Sequence, residues 1–350
     1  ARSVIIMNSA PSWRPVAELK LADALVLKSI MSIIAVCDGE QHPPIVCEIH
    51  SDRDRDLAEN ITDGIVKALN EVSVLSRMIA QLALSRNGLS VVYSDMVGFD
   101  GNEFYFYKPE NGWGGPLTFG ESINRFKDST PMGVHTGDGE IKLNPPSNTK
   151  ISENDELIVF AEDDSTIFFF PEPVHKPKIN KIPDIVSNLK KQKVAILNWT
   201  SKASIIMEKL CTYVPDESEI IAFHHEKTPD MDSYLAQLKN NYPKLNISIK
   251  SMDLNDLNDL NDIEPQNFDS ILILSPGGTT IEEMDAYVIS LLIRVRQILQ
   301  NKKLKKWPKL ITEVMDSENI DIILNSGVED FMVSNQFVSQ IMAQVSEEPL

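Results

Sequence analysis

Short runs of branched apolar residues alternate with longer amphipathic stretches along most of this chain. Uninterrupted apolar runs of about five residues are typical of buried parallel strands, and the amphipathic stretches between them predict helices. Strands that alternate with helices predict an α/β fold, in which parallel sheets are covered on both faces. The predicted strands of this kind are 3–7, 45–49, 193–197, 219–223, 270–274 and 310–314.

Four elements near the start of the chain return near its end. The strand at 3–7 matches 270–274, the helix with Asp23 matches the helix with Asp285, the strand at 45–49 matches 310–314, and 76–81 matches 339–344. The four offsets are 267, 262, 265 and 263 residues. Because these offsets are nearly constant, we predict a duplicated block and two Rossmann-like units with parallel sheets.

A different pattern separates the two copies. An aromatic β-rich run, two glycine-rich turns and a closing strand predict a small, hairpin-rich α+β lobe. Four prolines between 171 and 183 then predict a linker. The predicted domains are 1–100, a partial Rossmann-like unit with crossover helices; 101–170, the lobe; 171–192, the linker; and 193–350, the second Rossmann-like unit.

The net charge limits the kinds of partner that this chain can bind, and the cysteines indicate the redox state of its compartment. The chain carries 51 acidic and 33 basic residues, a net charge of −18, so nucleic acid is excluded as a partner. Cations are the natural partners of such a surface, although acidity can also serve solubility alone. Three cysteines without CxxC spacing predict buried, reduced thiols (Cys37, Cys47 and Cys211).

No window reaches the length of a membrane span, so we expect a soluble chain. It opens on Ala1-Arg2-Ser3 rather than on methionine, and we therefore expect a fragment of a longer protein.

Several stretches carry a resemblance to a known family. The hairpin lobe, from Leu117-Thr118-Phe119 to Phe160-Ala161-Glu162, resembles the C-terminal lobe of RCK domains, which regulate potassium conductance. The chain also resembles the CASTOR/POLLUX channels of plant nuclear envelopes and their bacterial relatives. The stretches that carry this second resemblance are 78–84 with 97–99 and 103–105, then 158–164, 268–274 and 333–339.

The resemblance implies a function in regulation rather than catalysis. It implies the gating-ring region of a cation channel, which senses a small ligand such as Ca²⁺ and couples it to pore opening. The chain would form a homo-oligomer, a tetramer in the full-length channel, and act with a membrane pore domain of the same or another chain. The expected location is the cytosolic face of a bacterial plasma membrane or a nuclear envelope. The alternative is a free-standing RCK-type accessory subunit of a separate ion transporter.

The resemblance also points to candidate metal ligands. Glu48 lies in the strand whose equivalent glutamate binds Ca²⁺ in some RCK gating rings, and His50 stands where those rings offer a second glutamate. Hard cations need several oxygen ligands, and Asp52, Asp54 and Asp56 follow closely. A strand-end carboxylate without a metal is the alternative for Glu48.

A second acidic cluster, Glu162-Asp163-Asp164, ends the closing strand of the lobe and is either a cation site or a solvated turn. Glu313 and Asp316 form the matching pair in the second copy.

The turn that follows the strand at 193–197 argues against dinucleotide binding. A Rossmann site needs glycines there so that the pyrophosphate can approach the helix N-terminus, and residues 198–203 contain none. We therefore predict that NAD does not bind, which argues against an NAD-dependent oxidoreductase. The turn at 276–280 is either an anion-binding nest or a plain turn.

Catalytic motifs are also missing from the sequence. The histidines form no HxxxH or HExxH pattern, and neither a Gly-x-Ser-x-Gly elbow nor a Walker loop occurs. His224-His225-Glu226 is either a metal site or a surface loop. Helix 72–85 is amphipathic, and it either packs on its own sheet or, as the resemblance implies, contacts a partner subunit.

Overall fold

The computed structural model describes residues 2–37, 43–62, 64–85, 88–99, 101–175, 190–226, 228–278, 280–325 and 330–347. The chain divides into two compact units. One unit contains residues 1–90 together with 188–350, and the other contains 91–187. The two predicted copies therefore share one compact unit, and the lobe between them forms the other.

The second copy is a complete Rossmann-like sheet. Its six strands are parallel and lie in the order β12-β11-β10-β13-β14-β15. Counted from the first strand of the copy, this is the order 3-2-1-4-5-6 of dinucleotide-binding folds. Its elements are β10 (Lys193–Leu197), α6 (Ser201–Tyr213), β11 (Glu219–His224), α7 (Pro229–Asn241), β12 (Asn246–Ser251), α8 (Leu257–Asp262), β13 (Ser270–Ile273), α9 (Ile281–Asn301), β14 (Lys309–Val314), α10 (Ile320–Asn325), β15 (Asp330–Val333) and α11 (Ser334–Glu347).

The first copy has the second half of the same sheet. Its three strands are parallel in the order β1-β2-β3, which corresponds to β13-β14-β15. Buried aliphatic residues on β2 and on the first helix form its core, among them Val26, Ile30 and Ile45. Its elements are β1 (Val4–Ile6), α1 (Val16–Val36), β2 (Ile45–Glu48), α2 (Asp52–Ile61), β3 (Val66–Leu69) and α3 (Glu71–Leu84).

Equivalent aspartates fasten equivalent helices in the two copies. Asp23 of α1 accepts hydrogen bonds from the backbone N–H groups of His50 (3.1 Å) and Ser51 (3.0 Å), just after β2. Asp285 of α9 accepts the same bonds from Met315 (2.8 Å) and Asp316 (2.9 Å), just after β14. The predicted duplication is therefore present in the fold down to individual hydrogen bonds.

The last helix of each copy packs on the other copy. Helix α3 contacts α6, β13 and β14 of the second copy, and α11 contacts β1 and β2 of the first. Ser270 Oγ donates to the carbonyl of Ala83 (2.5 Å), and Lys309 Nζ donates to that of Leu82 (2.7 Å). Helix 72–85 thus packs chiefly on the second copy of its own chain, which neither of the two sequence-based alternatives described.

The unit at 91–187 is the predicted α+β lobe. Four strands form an antiparallel sheet in the order β4-β9-β6-β7, and β5 pairs with β8 in a separate antiparallel pair. Trp113, Phe119, Phe126 and Leu157 are buried in its core. Its elements are β4 (Glu103–Tyr107), β5 (Leu117–Thr118), α5 (Phe119–Ser122), β6 (Thr130–His135), β7 (Ile141–Leu143), β8 (Lys150–Ile151) and β9 (Glu156–Ala161); α4 (Leu89–Val97) precedes them.

The structure also bears on the predictions for the cysteines, the linker and membrane-spanning segments. Cys47 and Cys211 are buried, whereas Cys37 near the end of α1 is partly exposed, so full burial was wrong for Cys37; all three thiols are free. Most of the predicted linker at 171–192 lies outside the described residues. Among the residues that the structure describes, no helix combines the length and apolar character that a membrane crossing requires.

Candidate metal centre

Glu48 ends β2, the central strand of the first copy, and only 8% of the residue is exposed. The neighbouring loop after β1 covers it, and the backbone N–H of Asn8 donates to its Oε2 (3.2 Å). Burial, followed by the nearby Glu71 carboxylate, raises the pKa of Glu48 above its ordinary value. A carboxylate in this position is poorly solvated and lies beside a second acid.

His50 follows two residues later and has a defined tautomer. Its Nε2 lies 2.7 Å from the carbonyl oxygen of Ala10. Because a carbonyl can only accept, Nε2 carries the proton and donates it. In the neutral ring Nδ1 is then a lone-pair acceptor, and this buried atom has no hydrogen-bond partner in the described part of the chain.

Glu71 is the third member of the cluster. It is the first residue of α3, directly after the cap Asn70, whose side chain accepts from the backbone N–H of Ser73 (3.0 Å). An acidic residue in the first turn is favoured by the helix dipole. Glu71 is only 6% exposed, and its buried Oε1 makes no hydrogen bond to any described residue.

These three side chains converge on one point. One ligand atom each from Glu48, His50 and Glu71 lies within 4.8 Å of the other two. The two carboxylates and the imidazole nitrogen form an electronegative, largely buried group, which the Asn8 N–H at Glu48 and the Lys202 ammonium 3.7 Å from Glu71 compensate only in part. Such a set of atoms can bind a divalent cation, which would neutralise the acids and fill the vacant acceptor positions.

The corresponding position of the second copy is built differently. Glu313 of β14 is the equivalent of Glu48, and it forms a buried ion pair with Lys202 of α6. Ser334, the equivalent of Glu71, donates its hydroxyl to Glu313 (2.6 Å). Burial opposes ionisation of both partners, but the attraction between their opposite charges is stronger. The Glu313 carboxylate therefore raises the pKa of Lys202, and the Lys202 ammonium lowers the pKa of Glu313. The second copy therefore holds an ammonium group beside its strand-end carboxylate.

The other predicted ligands lie elsewhere. Asp52 is exposed at the start of α2, where it pairs with Arg55 (3.0 Å) and accepts from the Asn70 amide (3.1 Å). Asp54 belongs to the same first turn, and Asp56 is exposed and pairs with Arg55. The structure therefore joins Glu48 with His50 and Glu71 rather than with these aspartates.

The acidic cluster of the lobe is a surface turn. Glu162, Asp163 and Asp164 are all exposed after β9. Asp163 accepts hydrogen bonds from the hydroxyl and backbone N–H of Ser165, which lower its pKa. In the second copy, Asp316 accepts from the N–H of Glu318 (3.0 Å) and closes the turn after β14. These contacts are those of turn-forming residues.

Sequence reasoning missed two residues of this region, Glu71 and Lys202. The repeat contained a signal for Glu71. When the two copies are aligned, this acidic residue stands where the second copy has Ser334, and such a difference between matching positions marks a residue with a separate role. Lys202 has no counterpart among the described residues of the first copy, whose three strands correspond to β13, β14 and β15. Lys202 meets Glu313 within its own copy, and the packing of α3 on α6 brings Glu71 to the same lysine.

A cavity of about 290 Å³ lies at the carboxyl ends of β10 and β13, where the strand order reverses. Its walls include Trp13 and Trp199, and Lys202 and Glu313 also line it. This is the usual place for a ligand in an open α/β sheet. Asn198 adopts a positive φ of 77° where a Rossmann turn would carry glycine. That the chain does not bind NAD stays a prediction.

Comparisons with known proteins agree with the resemblance found in the sequence. A profile of the family described as "Castor and Pollux, part of voltage-gated ion channel" matches residues 72–176. "Probable ion channel POLLUX" of Oryza sativa subsp. japonica is 26% identical in an alignment that covers 99% of this chain and 38% of that protein. "Ion channel CASTOR" of Lotus japonicus is 24% identical, over 93% of this chain and 42% of that protein.

Among solved structures, the crystal structure of the GsuK RCK domain is similar over 99% of this chain and 62% of that chain, with 14% identity and a TM-score of 0.49. The GsuK channel bound to NAD gives 13% identity and the same TM-score, over 99% of this chain and 52% of that chain. This chain spans about two fifths of the length of the curated relatives it matches. The predicted resemblance is confirmed over nearly the whole chain, which is similar in sequence to the CASTOR and POLLUX ion channels and aligns with a part of those longer proteins.

Proposed function

We propose that this chain is a regulatory region of a CASTOR/POLLUX-like cation channel and that it senses a divalent cation at Glu48, His50 and Glu71. The observation that carries the proposal is the position of Glu71, which takes part in the cluster and also lies 3.7 Å from Nζ of Lys202 in the second copy. A cation bound in the first copy would therefore act directly on a contact between the copies.

The mechanism is a competition for one carboxylate. Without a cation, Glu71 is stabilised by the Lys202 ammonium; with a cation, it is drawn toward Glu48 and His50. Glu71 begins α3, the helix that packs on α6, β13 and β14. A ligand shifts an equilibrium only by its difference in affinity for the two states. A coupling of about 1–3 kcal/mol per site, summed over several chains, is enough to bias a pore.

The resemblance to ion channels supports a proposal for the wider assembly. The relatives are named as ion channels, and the chain would change packing without breaking or forming covalent bonds, so we propose no enzymatic activity. We propose a homo-oligomer, a tetramer in the full-length channel, joined to a membrane pore domain of the same or another chain. The region would lie on the cytosolic face of a bacterial plasma membrane or a nuclear envelope.

Calcium is the cation that the family resemblance implies, and the cluster suits it only in part. Glu48 and Glu71 supply the carboxylate oxygens that Ca²⁺ binds. His50 supplies a nitrogen, and Ca²⁺ prefers six to eight oxygens. The proposal of cation sensing therefore depends on the two glutamates, and Ca²⁺ remains a proposal that titration decides.

Calorimetric titration of the 350-residue chain with CaCl₂ and MnCl₂ tests the site. Glu48→Gln and Glu71→Gln are each expected to weaken binding of the cation that binds wild type by at least tenfold. Glu162→Gln is the matched control, because Glu162 is an exposed glutamate of the lobe, and it should leave that affinity unchanged. Equal effects of all three substitutions would show that the cation binds diffusely to the acidic surface.

Two further measurements test the coupling. Hydrogen exchange of α3 should change on addition of the cation in wild type and remain constant in Glu71→Gln. Currents through membranes that carry the full-length protein should depend on the same cation and lose that dependence in Glu71→Gln. Currents that require a second, separate transporter would instead favour the accessory-subunit alternative.

A further inference from the structure

His50 gives the cluster a chemistry that differs from that of a calcium site. Nε2 is occupied by its hydrogen bond to Ala10, so Nδ1, which is buried and has no hydrogen-bond partner among the described residues, is the ring nitrogen left with a lone pair for a ligand. Imidazole nitrogen is a ligand of Mn²⁺, Co²⁺, Ni²⁺ and Zn²⁺, and the hydrogen bond at the other ring nitrogen fixes its orientation as in known metal sites. The same nitrogen offers little to a hard alkaline-earth ion.

The number of ligands leads to the same conclusion. The two carboxylates provide at most four oxygens, and Glu48 Oε2 already accepts from Asn8. A transition-metal ion with one nitrogen and two carboxylate ligands needs only one to three further ligands, which water supplies. Glu71 Oε1 and His50 Nδ1 are both buried acceptors without hydrogen-bond partners among the described residues. His50 Nδ1 can therefore coordinate without giving up a partner, whereas Glu71 Oε1 would exchange its ion pair with Lys202 (3.7 Å) for the metal.

The second copy does not repeat this set of ligands. The positions of Glu48, His50 and Glu71 are held there by Glu313, Met315 and Ser334. Lys202 Nζ lies against Glu313 and within 3.7 Å of Glu71. The lysine thus places a tethered positive charge directly against Glu313 of the second copy, whereas in the first copy it forms a longer ion pair, at 3.7 Å, with Glu71.

We infer that each chain binds one first-row transition-metal ion through Glu48, His50 Nδ1 and Glu71, in preference to Ca²⁺, and that the Lys202 ammonium fills the corresponding position of the second copy. This inference rests on the proposed cation site and specifies its ligand. The stoichiometry is one exchangeable ion per chain, because the second position carries its own charge.

The test uses the chain without a histidine tag and titrates it with CoCl₂ and, separately, with CaCl₂. Coordination of Co²⁺ by nitrogen and oxygen ligands is followed by its visible absorption, and stoichiometry by calorimetry. We expect one Co²⁺ per chain, and a hundredfold excess of Ca²⁺ should displace less than half of it. His50→Ala should weaken Co²⁺ binding at least tenfold, whereas His225→Ala, which removes an exposed imidazole, should not change it.

His50→Glu gives an independent readout if the alanine variant folds poorly. It replaces the nitrogen by carboxylate oxygens, so affinity for Ca²⁺ should rise and affinity for Co²⁺ should fall. The inference is overturned if two ions bind per chain, if Ca²⁺ displaces Co²⁺ at equal concentration, or if neither His50 variant changes the preference between the two ions. Calcium binding that depends on Glu48 and Glu71 but not on His50 would overturn it and leave the proposed function standing. Binding that depends on neither glutamate would overturn both.

Discussion

Oε1 of Glu71, on the first residue of α3, lies 3.7 Å from Nζ of Lys202 on α6. The two residues belong to different copies of the repeat, 131 positions apart in the sequence. Both are buried, and Lys202 also pairs with Glu313. A single ammonium group therefore balances one carboxylate from each copy, which makes the junction between the copies a charged and partly desolvated contact.

The first prediction concerns this ammonium group. Lys202→Met leaves Glu313 and Glu71 buried without a cation, and loss of one partner of a buried ion pair typically costs about 3–5 kcal/mol. We expect the free energy of unfolding in urea to fall by that amount. Lys191→Met is the matched control, since Lys191 forms an exposed pair with Glu217, and it should change stability by less than about 0.5 kcal/mol. Similar losses in both variants would contradict the role of Lys202.

The second prediction concerns the equivalent aspartates. In the wild type, each of these aspartates accepts hydrogen bonds from two backbone N–H groups, one on each carboxylate oxygen. In Asp23→Asn and Asp285→Asn an NH₂ group replaces one of these oxygens, so that one N–H donor faces another donor. Each substitution should lower the free energy of unfolding by about 1–3 kcal/mol. The exposed Glu282→Gln on α9 is the control. A large effect in one copy and none in the other would show that the matching hydrogen bonds have unequal importance.

The third prediction is that the two copies unfold together. Ile79 of α3 is 1% exposed in the helix that packs on the second copy. Ile79→Ala should cost about 2–5 kcal/mol and lower the protection of β1–β3 and of β10–β15 alike in hydrogen exchange. Ile61→Ala, at a half-exposed position of α2, should have a much smaller effect. Selective loss of protection in only one copy would argue against cooperative unfolding.

The fourth prediction concerns thiol reactivity and its dependence on pH. Burial raises the pKa of Cys211, and likewise that of Cys47, to about 12. The thiolate is the reactive form, and with a pKa near 12 only about one thiol in ten thousand is ionised at pH 8. Iodoacetamide should therefore modify Cys37 first, and Cys211 should stay unmodified from pH 7 to pH 9. In denaturant all three should react, and rapid labelling of native Cys211 would contradict its burial.

The fifth prediction concerns the lobe. A Cβ at Gly133 of β6 would stand 2.5 Å from the carbonyl oxygen of Lys142 on the paired strand β7. Gly133→Ala must push the two strands apart and should destabilise the lobe by about 1–3 kcal/mol. Gly101→Ala in the same unit has open space around its added methyl group and serves as the control. Hydrogen exchange of β6, β7 and β9 measures both, and equal protection in the two variants would contradict the close approach.

Much of the fold was readable from the sequence because its signals are local. Apolar runs such as 193–197 and 270–274 contain their own evidence for buried strands, and constant offsets of 262–267 residues reveal the duplication. The prediction of two Rossmann-like units and a hairpin lobe depends only on such patterns, and the strand orders confirm it. Family resemblance had the same basis, since short stretches carried it.

The site was predicted less completely. Glu48 was identified because the family resemblance implies a metal-binding glutamate in its strand, and the structure buries both Glu48 and its counterpart Glu313. Asp52 was grouped with Glu48 because it is near in sequence. The turn into α2 carries it to the surface instead, where it pairs with Arg55. Nearness along the chain says little about the direction of side chains once the strand has ended.

The sequence by itself determined the elements, their repetition and the family, because periodicity, strand composition and turn residues act over a few positions. Only the tertiary structure decided which charges meet. Helix α3 leaves its own sheet and packs on the second copy, and this exchange places Glu71 between His50 of one copy and Lys202 of the other. Contacts of that kind depend on the burial of helix faces across the whole unit, and no local pattern records them.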